Sequence, residues 1–292
     1  MDNAKHKRLE GGKRYRNGQR GNAETTPLIS IITAVYNGSA TIGETIKSIS
    51  AQTFTNFEYI IIDGGSTDGT LDILRKHNDE IDYWVSAPDN GIYDAFNKGI
   101  DLAKGDWLYF IGADDRLFDN SVLEKVFSKS IDSEFLYGNV FLEEEEEIVF
   151  GKFLPKNLYM QNICQQAIFY NKRLFQRIGK FNLKYQLLAD WDFNIKAFGL
   201  KSTKPYYLDT VVAVYSIYGM SNNVCDIVFL ADRERLFRET FGTLFFVRQK
   251  VFFTLKSVLN YIKNPRKLRN LLARRKKIYK NCEPSRNSWH IQ

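Results

Sequence analysis

Leu108-Tyr109-Phe110-Ile111-Gly112-Ala113-Asp114-Asp115 is the stretch around which the chain is organised. Its four leading apolar residues suit a strand buried on both faces. Gly112 and Ala113 are small enough for the backbone to turn, and two carboxylates follow at the strand's C-terminal end. In an open α/β sheet that edge is where ligands bind. Adjacent carboxylates repel unless a cation sits beside them, and an oxygen-only site suits Mg²⁺ or Mn²⁺ with substrate phosphates completing the shell. The bland alternative is an Asp-rich loop capping the next helix, since Asp119 and Asn120 follow closely.

The same pattern recurs upstream. Residues 28–35 read as a strand broken by Tyr36-Asn37-Gly38, and residues 39–52 as a helix with Ile42, Ile46 and Ile49 on one face. Residues 57–62 form a second strand, closed by Asp63-Gly64-Gly65-Ser66-Thr67-Asp68-Gly69-Thr70 and followed by a helix over 70–77. A third β segment lies at Tyr83-Trp84-Val85-Ser86. The turn Pro88-Asp89-Asn90-Gly91 and a helix over 92–103 come next. Three β-loop-α units in succession predict a parallel sheet with right-handed crossovers. The loops at Tyr36, Asp63 and Asp115 then line one crevice, the usual place for a nucleotide. Neither G-x-G-x-x-G nor a P-loop is present.

At 292 residues and 44% hydrophobic content the chain can bury a full core. Cys164, Cys225 and Cys282 are spaced too widely for a disulfide framework or a zinc pattern, and fit a reducing cytosol. No signal peptide or apolar run of membrane-spanning length is expected. The net charge of +7 is uneven: residues 248–280 hold twelve Lys/Arg and no acid, and residues 1–27 add seven against three acids. The body between them is therefore acidic, which excludes a nucleic-acid-binding globule. Residues 1–26, polar and basic, are expected to be disordered.

The segments Ser30-Ile31-Ile32-Thr33-Ala34-Val35-Tyr36-Asn37, Ile62 to Thr70 and Ala113-Asp114-Asp115 resemble, in order and spacing, the N-terminal signatures of family 2 glycosyltransferases of GT-A fold. Pro88-Asp89-Asn90-Gly91-Ile92-Tyr93-Asp94-Ala95-Phe96-Asn97-Lys98-Gly99 resembles a subgroup that builds bacterial surface polysaccharides. The likeness covers residues 27–222. It implies an α/β, Rossmann-like, mainly parallel sheet with helices on both faces. It also implies inverting transfer of a sugar from a nucleotide-sugar, a UDP-sugar first, to a hydroxyl of a lipid-linked saccharide. Thr33, Tyr36, Asp63, Asp94, Lys98 and Asp114 would bind the nucleotide-sugar, Asp63 through a uracil N–H, and Asp114 and Asp115 would hold Mg²⁺ or Mn²⁺. The turn-stabilising reading of Asp63 is the alternative. The family often carries an acid where Gly64 and Gly112 stand, so a leaner metal site is implied. A sugar-1-phosphate nucleotidyltransferase and a non-catalytic membrane-surface module are the competing readings; the first lacks its Gly-rich basic loop.

Residues 135–141 and 148–153 read as strands flanking Glu143-Glu144-Glu145-Glu146-Glu147, a solvated loop of like charges. In Asn162-Ile163-Cys164-Gln165-Gln166, Gln165 stands where related enzymes commonly have His, and Cys164 is a small filler. Leu187-Leu188-Ala189-Asp190-Trp191-Asp192 resembles the segment bearing the catalytic base. Ala189 replaces the first of the usual acidic pair and leaves Asp190 for the role. Helical geometry points Asp192 elsewhere. Residues 223–280 read as basic amphipathic helices, with Val251, Phe252, Leu255, Val258, Leu259 and Ile262 in one stripe, a second helix over 266–280, and a tail over 281–292. Such helices lie on anionic membranes, which predicts a cytoplasmic protein held at the inner face of the membrane. Packing on the body or on a second subunit of a homodimer is the alternative.

Overall fold

The computed structural model of the chain describes residues 8–16, 19–20, 26–215 and 226–263. The chain divides into two compact units, Met1–Gly219 and Met220–Gln292. The first unit opens with three short strands, β1 (Leu9–Gly11), β2 (Tyr15–Arg16) and β3 (Gln19–Arg20). β4 (Ile29–Val35), α1 (Ile42–Ser50), β5 (Phe57–Asp63), α2 (Thr70–Lys76), β6 (Tyr83–Ser86), α3 (Ile92–Leu102) and β7 (Trp107–Gly112) follow. β6, β5, β4 and β7 lie side by side in that order and all run parallel, as the three β-loop-α units require. Register pairs Val35 with Asp63, Asp63 with Ser86, and Ala34 with Gly112, so the four strands end at one edge.

Every residue of β4 is buried, because both faces of a parallel sheet are covered. Ile29, Ile31 and Val35 share a core with Ile42, Ile46 and Ile49 of α1, whereas α3 lies against Ile32 on the other face. Each of those α1 isoleucines is fully buried and contributes about 1.5–3 kcal/mol.

The chain continues through β8 (Arg116–Leu117), α4 (Val122–Phe127), β9 (Phe135–Leu142), β10 (Glu147–Val149), β11 (Ile168–Asn171), α5 (Lys172–Ile178), α6 (Ala189–Gly199) and β12 (Tyr206–Tyr215). These strands extend the sheet beyond β7 in the order β11, β9, β12, β8, with β11 antiparallel to both neighbours and β12 parallel to β9. Two elements differ from expectation. β10 stops at Val149 instead of running to residue 153, because Phe150 and Gly151 take left-handed backbone and Gly151 N–H donates to Asn139 Oδ1 at 2.8 Å. β12 is not anticipated by patterning, since only Val212, Ala213 and Val214 of its ten residues are buried.

The expectation of disorder over 1–26 also meets a correction. β1 pairs antiparallel with the edge strand β6, Leu9 against Ser86 and Gly11 against Trp84. Gly12 N–H donates to Asn78 Oδ1 at 2.6 Å, and the Arg14 guanidinium sits against the buried carboxylate of Glu58. An open strand edge is a row of unpaired backbone groups. A polar segment gains order by pairing with it even though it carries little apolar surface.

The second unit consists of α7 (Ile227–Phe241) and α8 (Thr243–Lys263), joined at Gly242. Asp226 Oδ1 caps α7 by accepting from Phe229 N–H at 3.0 Å. Phe246 is buried, whereas Leu244, Val247, Val251, Phe252 and Leu255 are exposed. The expected second basic helix over 266–280 and the tail lie outside the described residues. Among the described residues no helix is long and apolar enough to cross a membrane.

Candidate active site

β7 ends at Gly112, and the next three residues fold back over it. A Cβ at Gly112 would lie 2.7 Å from Asp115 Oδ2 and 2.8 Å from Asp114 Oδ1, so both carboxylates converge where only a glycine leaves room. The Thr45 hydroxyl of α1 sits 2.9 Å and 2.8 Å from the carbonyls of Ala113 and Asp115 and fixes this turn. Asp114 is exposed and Asp115 is buried. Gln166 Nε2 donates to Asp115 Oδ2 at 2.5 Å, while Tyr109 OH donates to the Gln166 carbonyl at 2.8 Å and the Cys164 thiol to Gln166 Oε1 at 2.9 Å. Among the described residues no group of three His, Cys, Asp or Glu forms a cage for a metal. Two convergent carboxylates suit a hard cation that takes its remaining ligands from substrate phosphates and water. The residues fit a shared metal and not one the protein encloses alone.

Asp190 stands at the first turn of α6 and is 5% exposed. Tyr93 OH of α3 donates to its Oδ1 at 2.6 Å, and Asn162 Nδ2 to its Oδ2 at 2.5 Å. Behind them, Asn194 Nδ2 donates to Asn162 Oδ1 and Tyr170 OH to Asn194 Oδ1, each at 2.9 Å. Burial pushes the Asp190 carboxyl up to about 6, against the hydrogen bonds from Tyr93, Trp191 N–H and Asn162, which favour the ionised form. Asp192 points elsewhere and pairs with Lys196 at 2.6 Å. α6 is held down by aromatic packing: Phe193 stacks on Phe175 with centroids 4.4 Å apart and meets Tyr170 and Phe181 edge-on or tilted.

One short segment connects these two centres. Asn162 binds Asp190 and Gln166, four residues on, binds Asp115. Four residues of extended chain span at most about 14 Å. The thiol of Cys164 lies between them, pushed up by burial and then by the charges of Asp115 and Asp190, so it is an inert filler. Gln165 packs its amide inward beside Tyr170.

The other expected nucleotide-sugar residues divide. Tyr36 is 63% exposed at the end of β4, free to lie along a ligand. Thr33 is fully buried, its hydroxyl bonded to Tyr59 OH at 3.1 Å, because its side chain faces the sheet core and not the crevice. Asp63 is likewise fully buried. Its carboxylate accepts from Gly65 N–H at 3.2 Å, Ser66 N–H at 3.0 Å, Ser86 Oγ at 2.5 Å and the Ser66 hydroxyl, which makes it the organiser of its turn. Asp94 accepts from Asn90 N–H at 2.9 Å and pairs with Lys98 at 3.0 Å, while Lys98 also donates to the Pro88 carbonyl at 3.2 Å. Both hold the loop before α3 in place. Ser66, Thr70 and Asp68 accept from the backbone N–H groups of Asn37, Gly38 and Ser39, tying the first two crevice loops together. Tyr93, Asn162 and Gln166 escaped the sequence reading, although all three lie in segments it singled out for other residues.

The family model for Glycosyl transferase family 2 matches residues 30–193. A "PGL/p-HBAD biosynthesis glycosyltransferase" of Mycobacterium bovis is 41% identical over 212 residues, 70% of this chain and 83% of that protein. The Escherichia coli "UDP-Glc:alpha-D-GlcNAc-diphosphoundecaprenol beta-1,3-glucosyltransferase WfaP" is 29% identical over 65% of this chain and 78% of its own. Among solved structures, S. aureus TarS 1–349 with UDP-GlcNAc has a TM-score of 0.57 at 17% identity, covering 73% of this chain and 71% of its own. The mannosyltransferase PcManGT from Pyrobaculum calidifontis, with GDP-Man and Mn²⁺, has a TM-score of 0.55 at 17% identity, covering 68% and 60%. At such identities the likeness bears on the fold alone. With a family match over more than half its length and a relative at 41% identity, the chain belongs to glycosyl transferase family 2 and is a glycosyltransferase of GT-A fold.

Proposed function

We propose that the chain transfers a sugar, with inversion, from a UDP-sugar to a hydroxyl of a lipid-linked saccharide in polysaccharide or glycolipid assembly. The observation that carries this is the segment from Asn162 to Gln166, which fixes an exposed-plus-buried carboxylate pair at one end and an isolated buried carboxylate at the other. Asp114 and Asp115 would hold Mg²⁺ or Mn²⁺ against the donor diphosphate. A bound cation there neutralises charge on the departing nucleotide. Tyr36 flanks the nucleoside. Asp190, mostly ionised at neutral pH, accepts the proton of the attacking hydroxyl as that oxygen displaces the nucleotide in a single step. No covalent sugar-enzyme bond is required. A lipid-linked acceptor is supported by the reaction that the name of the E. coli relative describes, and a UDP donor by that name and by the UDP-GlcNAc bound in the TarS structure.

Thermal shift tests the donor half of this reading. UDP with Mn²⁺ should raise Tm well beyond either alone, since a ligand at 100 times its Kd adds about 2.7 kcal/mol. Asp115→Ala should abolish the Mn²⁺ response; an undiminished response in that variant would refute the metal assignment.

A further inference from the structure

Between Glu147 and Asp190 the chain holds no Asp or Glu and seven Lys/Arg, although the body around this stretch is acidic. Arg177 and Lys180 pair with Glu134 and Asp101. Lys152 and Lys156 are exposed and have no acidic partner among the described residues. They alternate with apolar side chains on the loop of residues 150–160, which leaves β10 and leads to Asn162. The inner face of this loop is anchored. Phe153 is buried, with its N–H donating to Tyr137 OH at 2.9 Å, and Leu158 is fully buried. Leu154 N–H donates to Asn157 Oδ1 and Asn157 N–H to the Leu154 carbonyl, each at 2.8 Å, which closes a turn. The outer face is apolar as well: Phe150, Leu154 and Met160 are 41%, 47% and 44% exposed. Loop positions facing water are ordinarily polar, and exposed apolar side chains grouped on a short segment mark a contact surface. Phe150 also keeps a φ of 100°, a left-handed conformation that a bulky residue avoids, and such outliers gather at functional sites.

The loop ends at the proposed base. The Leu158 carbonyl accepts from Trp191 Nε1 at 2.8 Å, one residue after Asp190. Met160 lies two residues, at most about 7 Å of chain, from Asn162, which binds Asp190. The acidic run upstream is set apart: Glu143 pairs with Arg116, and the turn of the β9–β10 hairpin lies at the far end of β10 from Phe150. Apolar side chains mixed with unpaired lysines fit lipid headgroups and the acyl chains beneath them. They fit a protein partner less well, since Lys is depleted from protein–protein interfaces.

We propose that the loop of residues 150–160 is a membrane contact of the unit that carries Asp190. Phe150, Leu154 and Met160 enter the headgroup boundary of an anionic bilayer, and Lys152 and Lys156 meet its phosphates. The contact sets Asp190 beside the surface from which a lipid-linked acceptor is drawn, and it rests on that reading of the acceptor. The full chain with Leu154→Cys, Cys225→Ser and Cys282→Ser, labelled at position 154 with nitrobenzoxadiazole, is the probe; the buried Cys164 thiol stays unlabelled. On vesicles of phosphatidylglycerol and phosphatidylcholine in equal parts, the label's emission should rise and shift to the blue, and nitroxide-bearing lipids should quench it. Adding Lys152→Glu and Lys156→Glu should cut the quenched fraction roughly tenfold at a fixed vesicle concentration, with binding of UDP and Mn²⁺ by calorimetry unchanged. α8 is intact in both chains. A chain that sediments with vesicles through α8 alone leaves the label in water and unquenched, which overturns the proposal. Undiminished quenching after both charge reversals overturns the anionic-lipid assignment. A blue shift that grows with protein concentration in the absence of lipid overturns it in favour of a second copy on the loop. Quenching as expected, on a chain that transfers sugar only to water-soluble saccharides, supports the contact and refutes instead the acceptor reading beneath it.

Discussion

As the proposed base, Asp190 would have to be both buried and ionised, and its surroundings bear on that conflict. Removal from water raises its carboxyl from 3.8 to about 6, and hydrogen bonds from Tyr93 and Asn162 keep it from rising further. A base titrating near 6 is largely charged at pH 7 and strong enough to draw a proton from a hydroxyl whose own acidity grows during attack. The acid limb of kcat should therefore fall near pH 6, and Tyr93→Phe, which removes one stabilising donor, should move that limb to higher pH. A limb that stays put in Tyr93→Phe would detach the titration from Asp190. The same shift carries a stability consequence. Because the folded chain holds this proton more tightly than the unfolded one, its stabilisation is complete below about 4 and lost as pH rises through 6. Asp190→Asn should gain on the unaltered chain between pH 4 and pH 8 by up to about 3 kcal/mol, while transfer drops roughly 10²–10⁴-fold and UDP binding persists. Equal transfer losses in Asp192→Asn would overturn the choice of base.

The Asn162–Gln166 segment serves two centres through separate side chains, and the two can be uncoupled. Gln166→Ala releases Asp115 and should weaken Mn²⁺-dependent UDP binding roughly tenfold, leaving the pH profile unmoved. Asn162→Ala should do the reverse, raising the acid limb with UDP affinity intact. If either variant disturbs both readouts equally, the segment acts as one packed unit. This division of labour is beyond a sequence reading, because it depends on which side chains a fold brings together across 28 and 51 residues. β4, β5 and β7, by contrast, were legible because each is a predominantly apolar segment followed by turn-forming residues. The Asp114–Asp115 pair was legible for the same reason, sitting at the end of such a run. For Thr33 and Asp63, position at a strand end conveyed nearness to the crevice, but their burial and their hydrogen bonds to Tyr59, Ser66 and Ser86 do not follow from that. β1 was hidden for another cause, since its order comes from the edge of β6, Asn78 and Glu58 and not from its own composition.

At the scale of the whole chain, charge is distributed against the fold's acidic body. The twelve Lys/Arg of residues 248–280 begin within α8, in the second of the two units. Leu244, Val247, Val251 and Leu255 recur at helical spacing along one face of α8 and are all exposed, with Phe252 beside them. An apolar stripe bordered by bases matches the headgroup boundary of an anionic bilayer, and delivery of a lipid-linked acceptor would require such proximity. Each Lys or Arg near the surface adds on the order of 1 kcal/mol, so half of the twelve would give firm attachment at low salt. At 0.1 M salt the screening length is about 10 Å, so attachment should weaken with ionic strength and leave the apolar stripe as residual anchor. The full chain should therefore sediment with phosphatidylserine vesicles and only partly elute in high salt. With Val251→Asp, Phe252→Asp and Leu255→Asp introduced together, the residual salt-resistant fraction should vanish, and transfer to a lipid-linked acceptor should fall while hydrolysis of the donor continues. A stripe that packs on protein gives the opposite pattern: no vesicle binding by the unaltered chain, and a change of oligomeric state in the triple variant.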